Sequence, residues 1–390
     1  MIMSAHKPSI HWIGAGLASG PGLVSLVNKW GEATVWDMVL DRANSLATKV
    51  NKGAKLNVRK LDLGDDASVA TFRSALNEGD IIISMLPAAF HVQVGEIALE
   101  ENCHLVTSSY ISDGMRALDD AAAAKGLSFV NEVGLDPGID HLLTHVLVDQ
   151  ARKEGQLGKG NRIDFVSYCG GFPAEETPFT YKFSWTPLGV LSALTNPAQL
   201  LKNGTETTIP TAWEAVSELS IHGEMFEAYA NRNSLPFIAE YGLEDEKNLR
   251  NFVRGTLRMS GWKKAWKDIF AQLKNISSDD LRALSDKLWA EHQYADGEED
   301  RVLLYVALTS VDEKDKEWHG SLTVDATGSG WQSAMANTVS YTVAEAVSAL
   351  MEGRLAPGVQ AAPHDVAEAK RWLHGLAKNG IVVKAVNVDL

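Results

Sequence analysis

Short apolar runs alternate with amphipathic stretches over the N-terminal part of the chain. The amphipathic stretches carry apolar residues at helical spacing, for example up to Trp30 and from about Phe90 to Glu101. The apolar runs, which are bounded by glycine, proline or polar residues, predict buried strands at Ile10–Ile13, Ala33–Asp37, Asp80–Ser84 and Cys103–Thr107. Another strand is predicted to end at Leu61–Leu63. Strands and helices that alternate in this order are typical of a Rossmann-type, doubly wound parallel sheet.

A further apolar run, Leu127–Val133, predicts one more buried strand before the pattern changes. A turn at Pro137–Gly138 ends this run, and a helical pattern follows it. Asp136, Asp140 and His141 therefore lie at a strand-to-helix junction. Ligands of open α/β sheets bind at the carboxyl ends of the strands, so these side chains are candidates for a functional site.

The second half of the chain predicts a second α/β domain with a mixed sheet and a small helical insert. Apolar residues at helical spacing mark the insert around residues 262–296, with a capping segment at Asn275–Asp280. The strand-like segments are Ile163–Cys169, Tyr181–Trp185, Phe252–Met259, Leu303–Thr309 and Trp318–Asp325. We predict a Rossmann domain over residues 1–137, the second domain over 138–335, and C-terminal helices over 336–390 that return to the first domain.

Composition and charge restrict the classes of function. The 390 residues are 45% hydrophobic and 22% charged, as in a soluble protein of two domains. The net charge of −14 and the lack of a basic stripe argue against a nucleic-acid partner. No apolar run is long enough to span a membrane, and the N-terminus lacks the pattern of a secretion signal. Cys103 and Cys169 lie in different predicted elements, so we expect no disulfide and a cytoplasmic location.

A glycine-rich turn directly follows the first predicted strand. Gly14, Gly16 and Gly20 form a G-x-G-x-x-x-G variant of the dinucleotide-binding fingerprint, which includes Leu17 and Ala18. The first glycine permits a tight turn, and the second lets the main chain approach a pyrophosphate at the start of the next helix. Taken alone, a tight turn in a crowded α/β core would give the same pattern.

The ends of the later strands add candidate cofactor contacts. Asp37 ends the second strand, where an acidic residue accepts hydrogen bonds from the adenosine ribose and repels a 2′-phosphate. We therefore expect NAD or NADP as the cofactor, with NAD favoured by Asp37, although Arg42 could still admit a phosphate. The residues expected to border the adenine and the nicotinamide ribose are Asp62, Leu63, Leu86 and Pro87.

An arginine-bearing strand is the most informative feature of the second half. With a side-chain period of two, Arg254, Thr256 and Arg258 share one face of the strand. Guanidinium groups with a hydroxyl between them suit a ligand that bears carboxylates, through bidentate charge-assisted bonds. The preceding Ala230–Ser234 loop adds Arg232 as a further candidate. A solvated strand face would show the same alternation.

Seven segments form an ordered set of motifs that is more specific than a glycine turn. They are Thr107–Ser112, Asn131–His141, Ser167–Gly171, Tyr181–Trp185, Asn231–Ser234, Arg254–Arg258 and Ser333–Ala336. Over nearly the whole length, this set resembles the saccharopine reductase family, the L-glutamate-forming saccharopine dehydrogenases.

The resemblance implies an oxidoreductase of lysine and 2-aminoadipate metabolism. Saccharopine, a secondary amine with three carboxylates, would give up a hydride to a nicotinamide, and water would split the imine into L-glutamate and 2-aminoadipate 6-semialdehyde. The family positions that contact the substrate correspond to Ser109, Tyr110, Asp136, Arg232, Thr256, Leu257 and Arg258. Cys169 corresponds to a residue of the same pocket.

Two positions depart from the family pattern. Members that use NADP tend to have a small polar residue and an arginine after the second strand, where this chain has Asp37 and Met38. NADP preference is therefore in doubt. Asn233 stands where the family pattern has aspartate, so the substrate could differ in detail.

The oxidation of a secondary amine needs a general base and later proton transfers. Tyr110, Asp136 and Cys169 are the candidate catalytic residues, and His141 is a further candidate. We favour Asp136 and Tyr110 for orientation and proton transfer, whereas Cys169 could equally be a wall of the pocket. His91 is interpreted as a packing or surface residue.

Two other functions are compatible with parts of the pattern. A related dehydrogenase could act on a carboxylated polyamine or another opine-like amine, but arginines would repel ammonium groups. A nucleotide sensor without activity could keep the glycine turn, yet it would not need Asp136 and the arginine face. The scattered histidines lack metal-ligand spacing, so we expect no metal centre. A homodimer is compatible with the apolar C-terminal helices, which the domain's own core explains equally well.

Overall fold

A computed structural model describes residues 7–390, which form two compact units. Unit 1 comprises the chain up to His141 together with Ala336–Pro363, and unit 2 comprises Leu142–Met335 and His364–Leu390. Residues 1–6, the start of the predicted first domain and of the segment searched for a secretion signal, lie outside the described residues. Among residues 7–390, no helix combines the length and the apolar character needed to cross a membrane.

Strands and helices follow one another along the whole described chain. The strands are β1 Ile10–Ile13, β2 Glu32–Asp37, β3 Lys55–Lys60, β4 Ile81–Ser84, β5 His104–Thr107, β6 Ser128–Val130, β7 Arg162–Pro173, β8 Ala198–Lys202, β9 Thr205–Ile209, β10 Ser217–Ile221, β11 Glu224–Ala230, β12 Leu249–Met259, β13 Glu299–Val311, β14 Glu317–Ser329, β15 Gly358–Gln360 and β16 Val383–Val386. The α-helices are α1 Gly20–Trp30, α2 Leu40–Ala47, α3 Asp66–Arg73, α4 His91–Glu100, α5 Asp113–Arg116, α6 Asp119–Ala124, α7 Ile139–Lys153, α8 Pro187–Thr195, α9 Pro236–Glu240, α10 Trp262–Ala265, α11 Lys267–Leu273, α12 Ser278–Glu291, α13 Ala334–Met351 and α14 Val366–Lys378.

Unit 1 contains a parallel sheet in the order β15-β6-β5-β4-β1-β2-β3. The strands β1 and β4 are apolar runs that are buried at every position, because helices cover both faces of such a sheet. The strand order reverses its direction between β1 and β4, which makes a topological switch point. The predicted Rossmann-type sheet is confirmed, and β15 adds a strand that the sequence analysis missed.

Unit 2 contains a nine-stranded sheet whose main path is β10-β11-β12-β7-β13-β14-β16, with β8 pairing to β12 and β9 to β8. Strands β12 and β7 run parallel, whereas the other pairs are antiparallel, so the predicted mixed sheet is confirmed. The sequence analysis missed β8 to β11, which carry many exposed polar residues and therefore lack a strong apolar signal.

A small helical insert, α10 to α12, lies where the sequence predicts it. The Ser277 hydroxyl caps α12 by accepting a hydrogen bond from the main-chain N–H of Asp280. The predicted strand at residues 181–185 is wrong, because this segment makes only an isolated bridge between Phe183 and Gln293. The side chains of Tyr181 and Phe183 pack into the core of the insert instead, where the Tyr181 ring meets Trp266 edge-on.

The C-terminal region is divided between the two units. Helix α13 contributes to unit 1, where the main-chain N–H of Gly22 donates to the Ser340 hydroxyl over 2.7 Å. The prediction that all of residues 336–390 return to the first domain is wrong from His364 onward. Strand β16 pairs antiparallel with β14, with Val386 opposite Ser321, and this pairing holds the end of the chain in unit 2.

Candidate functional site

The glycine-rich turn lies between β1 and α1 and has the geometry that a bound dinucleotide requires. Gly14 has a φ of +97°, and a Cβ atom there would lie 2.8 Å from the carbonyl oxygen of Met85. A Cβ on Gly16 would meet no heavy atom within 4 Å, so space is open beside the main chain at this position. Leu17 is exposed beside it, and Ala18 is half-buried. These features fit a pyrophosphate placed near the start of α1.

Asp37, at the end of β2, ties the glycine turn to the second strand. One carboxylate oxygen accepts the main-chain N–H of Ala15 over 2.6 Å, and the other accepts that of Val39 over 2.8 Å. The carboxylate is half-buried, while the next side chain, Met38, is 60% exposed. A fixed negative charge therefore borders the place where a ribose 2′-substituent would lie, which supports the prediction that Asp37 selects the cofactor.

The other predicted cofactor contacts lie along the same carboxyl edge of the parallel sheet. Asp62 and Leu63 lie two and three residues after the end of β3, where the Leu63 carbonyl accepts a hydrogen bond of 3.1 Å from the Gln93 amide. Leu86 and Pro87 follow β4 at the switch point. Unit 1 thus brings all the predicted cofactor residues to one edge, and this edge fits NAD or NADP.

The turn after β6 carries the candidate acid–base pair. The Tyr110 phenol donates a hydrogen bond of 2.9 Å to Oδ1 of Asp136, and both side chains are half-buried. The turn is very tight, because the main-chain N–H of Gly134 donates to the Pro137 carbonyl over 2.8 Å. Gly138 has a φ of +145°, and a Cβ there would lie 2.2 to 2.5 Å from main-chain atoms of Gly134. The turn therefore holds Asp136 at a fixed place beside Tyr110.

The buried carboxylate of Glu132 stabilises this turn. Its Oε1 accepts the main-chain N–H of Ile111 over 2.9 Å, and its Oε2 lies 2.9 Å from Nε2 of His141. Glu132 and His141 are only 7% and 1% exposed, so His141 is a buried partner of Glu132. The nearby Asp140 carboxylate accepts the N–H of Gly138 over 2.6 Å. His141 and Asp140 thus position the turn, and the sequence analysis missed the part that Glu132 plays.

His91 is also part of this region, which the sequence interpretation as a packing residue did not foresee. Its Nδ1 lies 2.9 Å from the Ser84 hydroxyl, and its Nε2 lies 2.8 Å from the hydroxyl of Ser109, a predicted substrate contact. Burial lowers the pKa of His91 from 6.5 to about 4, so the imidazole is neutral near pH 7. The ring therefore links the ends of β4 and β5 and fixes the position of the Ser109 hydroxyl.

The arginine face lies on β12 in the centre of the unit 2 sheet. Thr256 is the register partner of Cys169 on the parallel strand β7, so their side chains are neighbours on one face. Leu257 points to the other face and packs in a core cluster with Phe172. The predicted alternation is confirmed, but the alternative of a solvated face is wrong, since Arg254 and Arg258 are 5% and 6% exposed.

Arg258 is a buried cation without a carboxylate partner among residues 7–390. Its guanidinium carbon lies 4.9 Å from the ring centre of Tyr181 and 5.4 Å from those of Tyr229 and Trp262. Its Nη1 donates to the carbonyl of Leu257, and its Nε has no hydrogen-bond partner in the described part of the chain. The cross-strand Glu227 instead accepts main-chain N–H groups at the start of α10. A buried guanidinium of this kind is suited to an anionic ligand.

The loop with Arg232 is attached to β12 beside Arg254. The main-chain N–H of Arg254 donates to the Ser234 hydroxyl over 2.9 Å. Arg232 is exposed and has a φ of +57°. The amide oxygen of Asn233 accepts the main-chain N–H of Leu235 over 3.0 Å, a contact that an aspartate would make equally well. Its departure from the family pattern therefore preserves the local turn.

Comparison with known proteins gives consistent matches over both units. The sequence models of the saccharopine dehydrogenase NADP binding domain and of the saccharopine dehydrogenase C-terminal domain match residues 10–130 and 134–381. A saccharopine dehydrogenase [NADP(+), L-glutamate-forming] of Pyricularia oryzae is 36% identical over 260 residues, or 65% of this chain and 55% of that protein. The mitochondrial alpha-aminoadipic semialdehyde synthase of Mus musculus is 33% identical over 66% of this chain and 27% of that protein.

A solved structure of a saccharopine dehydrogenase also matches the fold of this chain. The apo histidine-tagged saccharopine dehydrogenase (L-Glu forming) from Saccharomyces cerevisiae matches with a TM-score of 0.78 and 26% identity. This match covers 97% of this chain and 100% of the other. By contrast, the chain spans about half of the fungal relative and about a quarter of the mouse relative.

Proposed function

Because the chain belongs to the saccharopine dehydrogenase family, we propose that it catalyses the reversible NAD(P)-dependent oxidation of saccharopine. Saccharopine, NAD(P)+ and water would give L-glutamate, 2-aminoadipate 6-semialdehyde, NAD(P)H and a proton. The enzyme would act in lysine and 2-aminoadipate metabolism. Location in the cytoplasm and assembly as a homodimer stay predictions from the sequence.

The observation that carries the proposal is the buried Arg258 on the same strand face as Thr256 and Arg254. Burial of a charged group without a partner is costly, so such a residue is retained where a ligand supplies the opposite charge. A carboxylate of saccharopine would accept two parallel N–H···O bonds from the guanidinium. A polyamine would place ammonium groups near this cation, which the arrangement disfavours.

Asp136 is the residue best placed to take the proton from the secondary amine. The hydrogen bond from Tyr110 orients the Asp136 carboxylate, and the tight turn at Gly138 restricts its movement. The nicotinamide, when bound, accepts the hydride from the carbon beside the amine. Asp136 would then return a proton as water adds to the imine and the carbinolamine collapses, while the Ser109 hydroxyl, held by His91, contacts the substrate.

The cofactor edge supports NAD over NADP. Asp37 holds a negative charge at the end of β2, and the exposed residue after it is Met38, which cannot pair with a phosphate. The Pyricularia oryzae relative is named for NADP(+), so this chain would differ from it in cofactor preference.

A steady-state assay tests the proposal. The purified protein would be given saccharopine with NAD or NADP in parallel, with reduced nicotinamide followed by absorbance and L-glutamate quantified as a product. We expect turnover with an equal yield of L-glutamate and reduced cofactor, and a higher kcat/KM for NAD. Turnover of a carboxylated polyamine but not of saccharopine would contradict the proposed substrate, and a higher kcat/KM for NADP would contradict the role of Asp37.

A further inference from the structure

Three side chains from distant parts of the sequence come together in unit 2. His145 lies on α7, Glu240 is the last residue of α9, and His364 precedes α14. One ligand atom of each, an imidazole nitrogen or a carboxylate oxygen, lies within 4.8 Å of the others. Nε2 of His364 is already 2.7 Å from Oε1 of Glu240.

The two imidazoles of this cluster are held side by side. The rings of His145 and His364 stack with their centres 4.8 Å apart and their planes at 25°. The Tyr241 ring, itself buried, packs edge-on against His145 at 5.5 Å, so His145 is fixed and only 9% exposed. The side chains of Glu240 and His364 are 32% and 57% exposed and have room to adjust.

We propose that His145, Glu240 and His364 bind a divalent transition-metal ion, with zinc as the ion of choice. Zinc binds histidine nitrogen and carboxylate oxygen at about 2.0–2.2 Å, which sets neighbouring ligand atoms about 3.3 Å apart in a tetrahedron. Rotation of the partly exposed Glu240 and His364 side chains would bring the three ligand atoms into this geometry. Two imidazoles with one carboxylate suit zinc or nickel rather than magnesium or calcium, which prefer oxygen ligands alone.

The ion pair between Glu240 and His364 joins two of the three residues, and the His145 ring stacks on His364. A metal ion uses all three side chains, and water completes its coordination as the fourth ligand. The ion would link α7, α9 and the segment before α14, so it would hold the C-terminal part of the chain to the body of unit 2.

Direct metal titration tests this site in the full chain without an affinity tag. After treatment with EDTA and dialysis, zinc would be titrated against a chromophoric chelator, and bound zinc would be counted by elemental analysis after gel filtration. We expect one zinc ion per chain and a higher thermal midpoint on binding. H364A and E240Q each remove one ligand, so their zinc affinity should fall by about 100-fold or more.

The matched control is H374A, which removes an exposed histidine of α14 outside the cluster. It should bind zinc as the wild type does. Absence of stoichiometric zinc binding, or equal zinc affinity in H364A and the wild type, would overturn the proposal. Because the readout is metal binding, a negative result here is distinguishable from a failure to oxidise saccharopine.

Discussion

The Tyr110 phenol donates a hydrogen bond of 2.9 Å to Oδ1 of Asp136, although the two residues are 26 positions apart in the chain. Tyr110 follows β5, and Asp136 lies in the turn after β6, the neighbouring strand of the same parallel sheet. Strand ends that share one edge thus combine a proton acceptor with the group that orients it. The two roles can be separated by mutation.

D136N should lower kcat/KM for saccharopine by about 10² to 10⁴, because the amide cannot accept the amine proton. Y110F removes the hydrogen bond that orients Asp136, so we expect a loss of about two- to tenfold. Steady-state and single-turnover kinetics would measure both effects, with cofactor binding by fluorescence as the control. Asp136 would lose its assigned role if D136N kept activity within threefold of the wild type.

Substitution of Arg258 separates ligand binding from stability. R258M removes a buried cation that has no carboxylate partner within residues 7–390, so the thermal midpoint should stay the same or rise. A charge-assisted hydrogen bond contributes about 1.5–3 kcal/mol, so KM for saccharopine should rise by about 10- to 100-fold. The control is R282M, which changes an exposed arginine on α12 and should leave both quantities unchanged. A large fall of the midpoint in R258M with KM unaltered would assign Arg258 a purely structural role.

The sequence revealed those parts of the fold that have a strong local pattern. Continuous apolar runs such as Ile81–Ser84 predict buried parallel strands because both of their faces are covered. The segment around Tyr181 alternates aromatic and polar residues as a strand would, yet Tyr181 and Phe183 pack on tryptophans of a helical insert about 80 positions later. Periodicity alone cannot show which distant partner buries an apolar residue, so the strand predicted there was wrong.

The same reason explains which site residues were found. Gly14, Asp37 and the arginines of β12 occur in local motifs, whereas His91 acts through the hydroxyls of Ser84 and Ser109. The cluster of His145, Glu240 and His364 has no characteristic spacing, because three separate elements build it. Tertiary contacts of this kind need the structure.

His91 should make the stability of the protein depend on pH. Burial lowers its pKa from 6.5 to about 4, so below pH 6.5 the unfolded chain takes up a proton that the folded chain does not. The free energy of unfolding should therefore fall by about 3 kcal/mol as the pH drops from 6.5 to about 4, with no further loss from this residue below that.

H91Q lacks this titration but keeps hydrogen-bonding groups near Ser109. Urea unfolding of the wild type and H91Q at about pH 7 and about pH 4.5 would give the difference, since the other groups titrate alike in both proteins. We expect the wild type to lose about 2–3 kcal/mol more than H91Q between these values. If the free energy of unfolding changed equally with pH in the two proteins, His91 would not be buried in its neutral form.

Cofactor preference should follow the charges at the end of β2. M38R adds a cation at an exposed position, and D37S removes the fixed negative charge. The double variant should raise the ratio of kcat/KM for NADP to that for NAD by about 100-fold, because a 2′-phosphate gains a partner and loses a like charge. R59M removes an exposed arginine of β3 and tests whether this cation already pairs with the 2′-phosphate of NADP. An unchanged ratio in the double variant would show that Asp37 does not select the cofactor.

Two glycine substitutions should separate cofactor binding from folding. A Cβ on Gly16 meets no heavy atom of the protein within 4 Å, so G16A should keep the wild-type thermal midpoint. The added methyl group would occupy the space through which the main chain approaches a pyrophosphate, and the Kd for NAD should rise by about tenfold or more.

G138A should instead lower the stability of the fold. Its Cβ would lie 2.2 Å from the carbonyl oxygen of Gly134 at a φ of +145°, so the turn must rearrange at a cost of about 3 kcal/mol or more in stability. Calorimetric thermal midpoints and NAD titrations of both variants would measure the contrast. A wild-type Kd for NAD in G16A would exclude a close approach of the pyrophosphate to this turn. A wild-type midpoint in G138A would show that the turn carrying Asp136 can relax, and Asp136 would then not be held in place by the backbone.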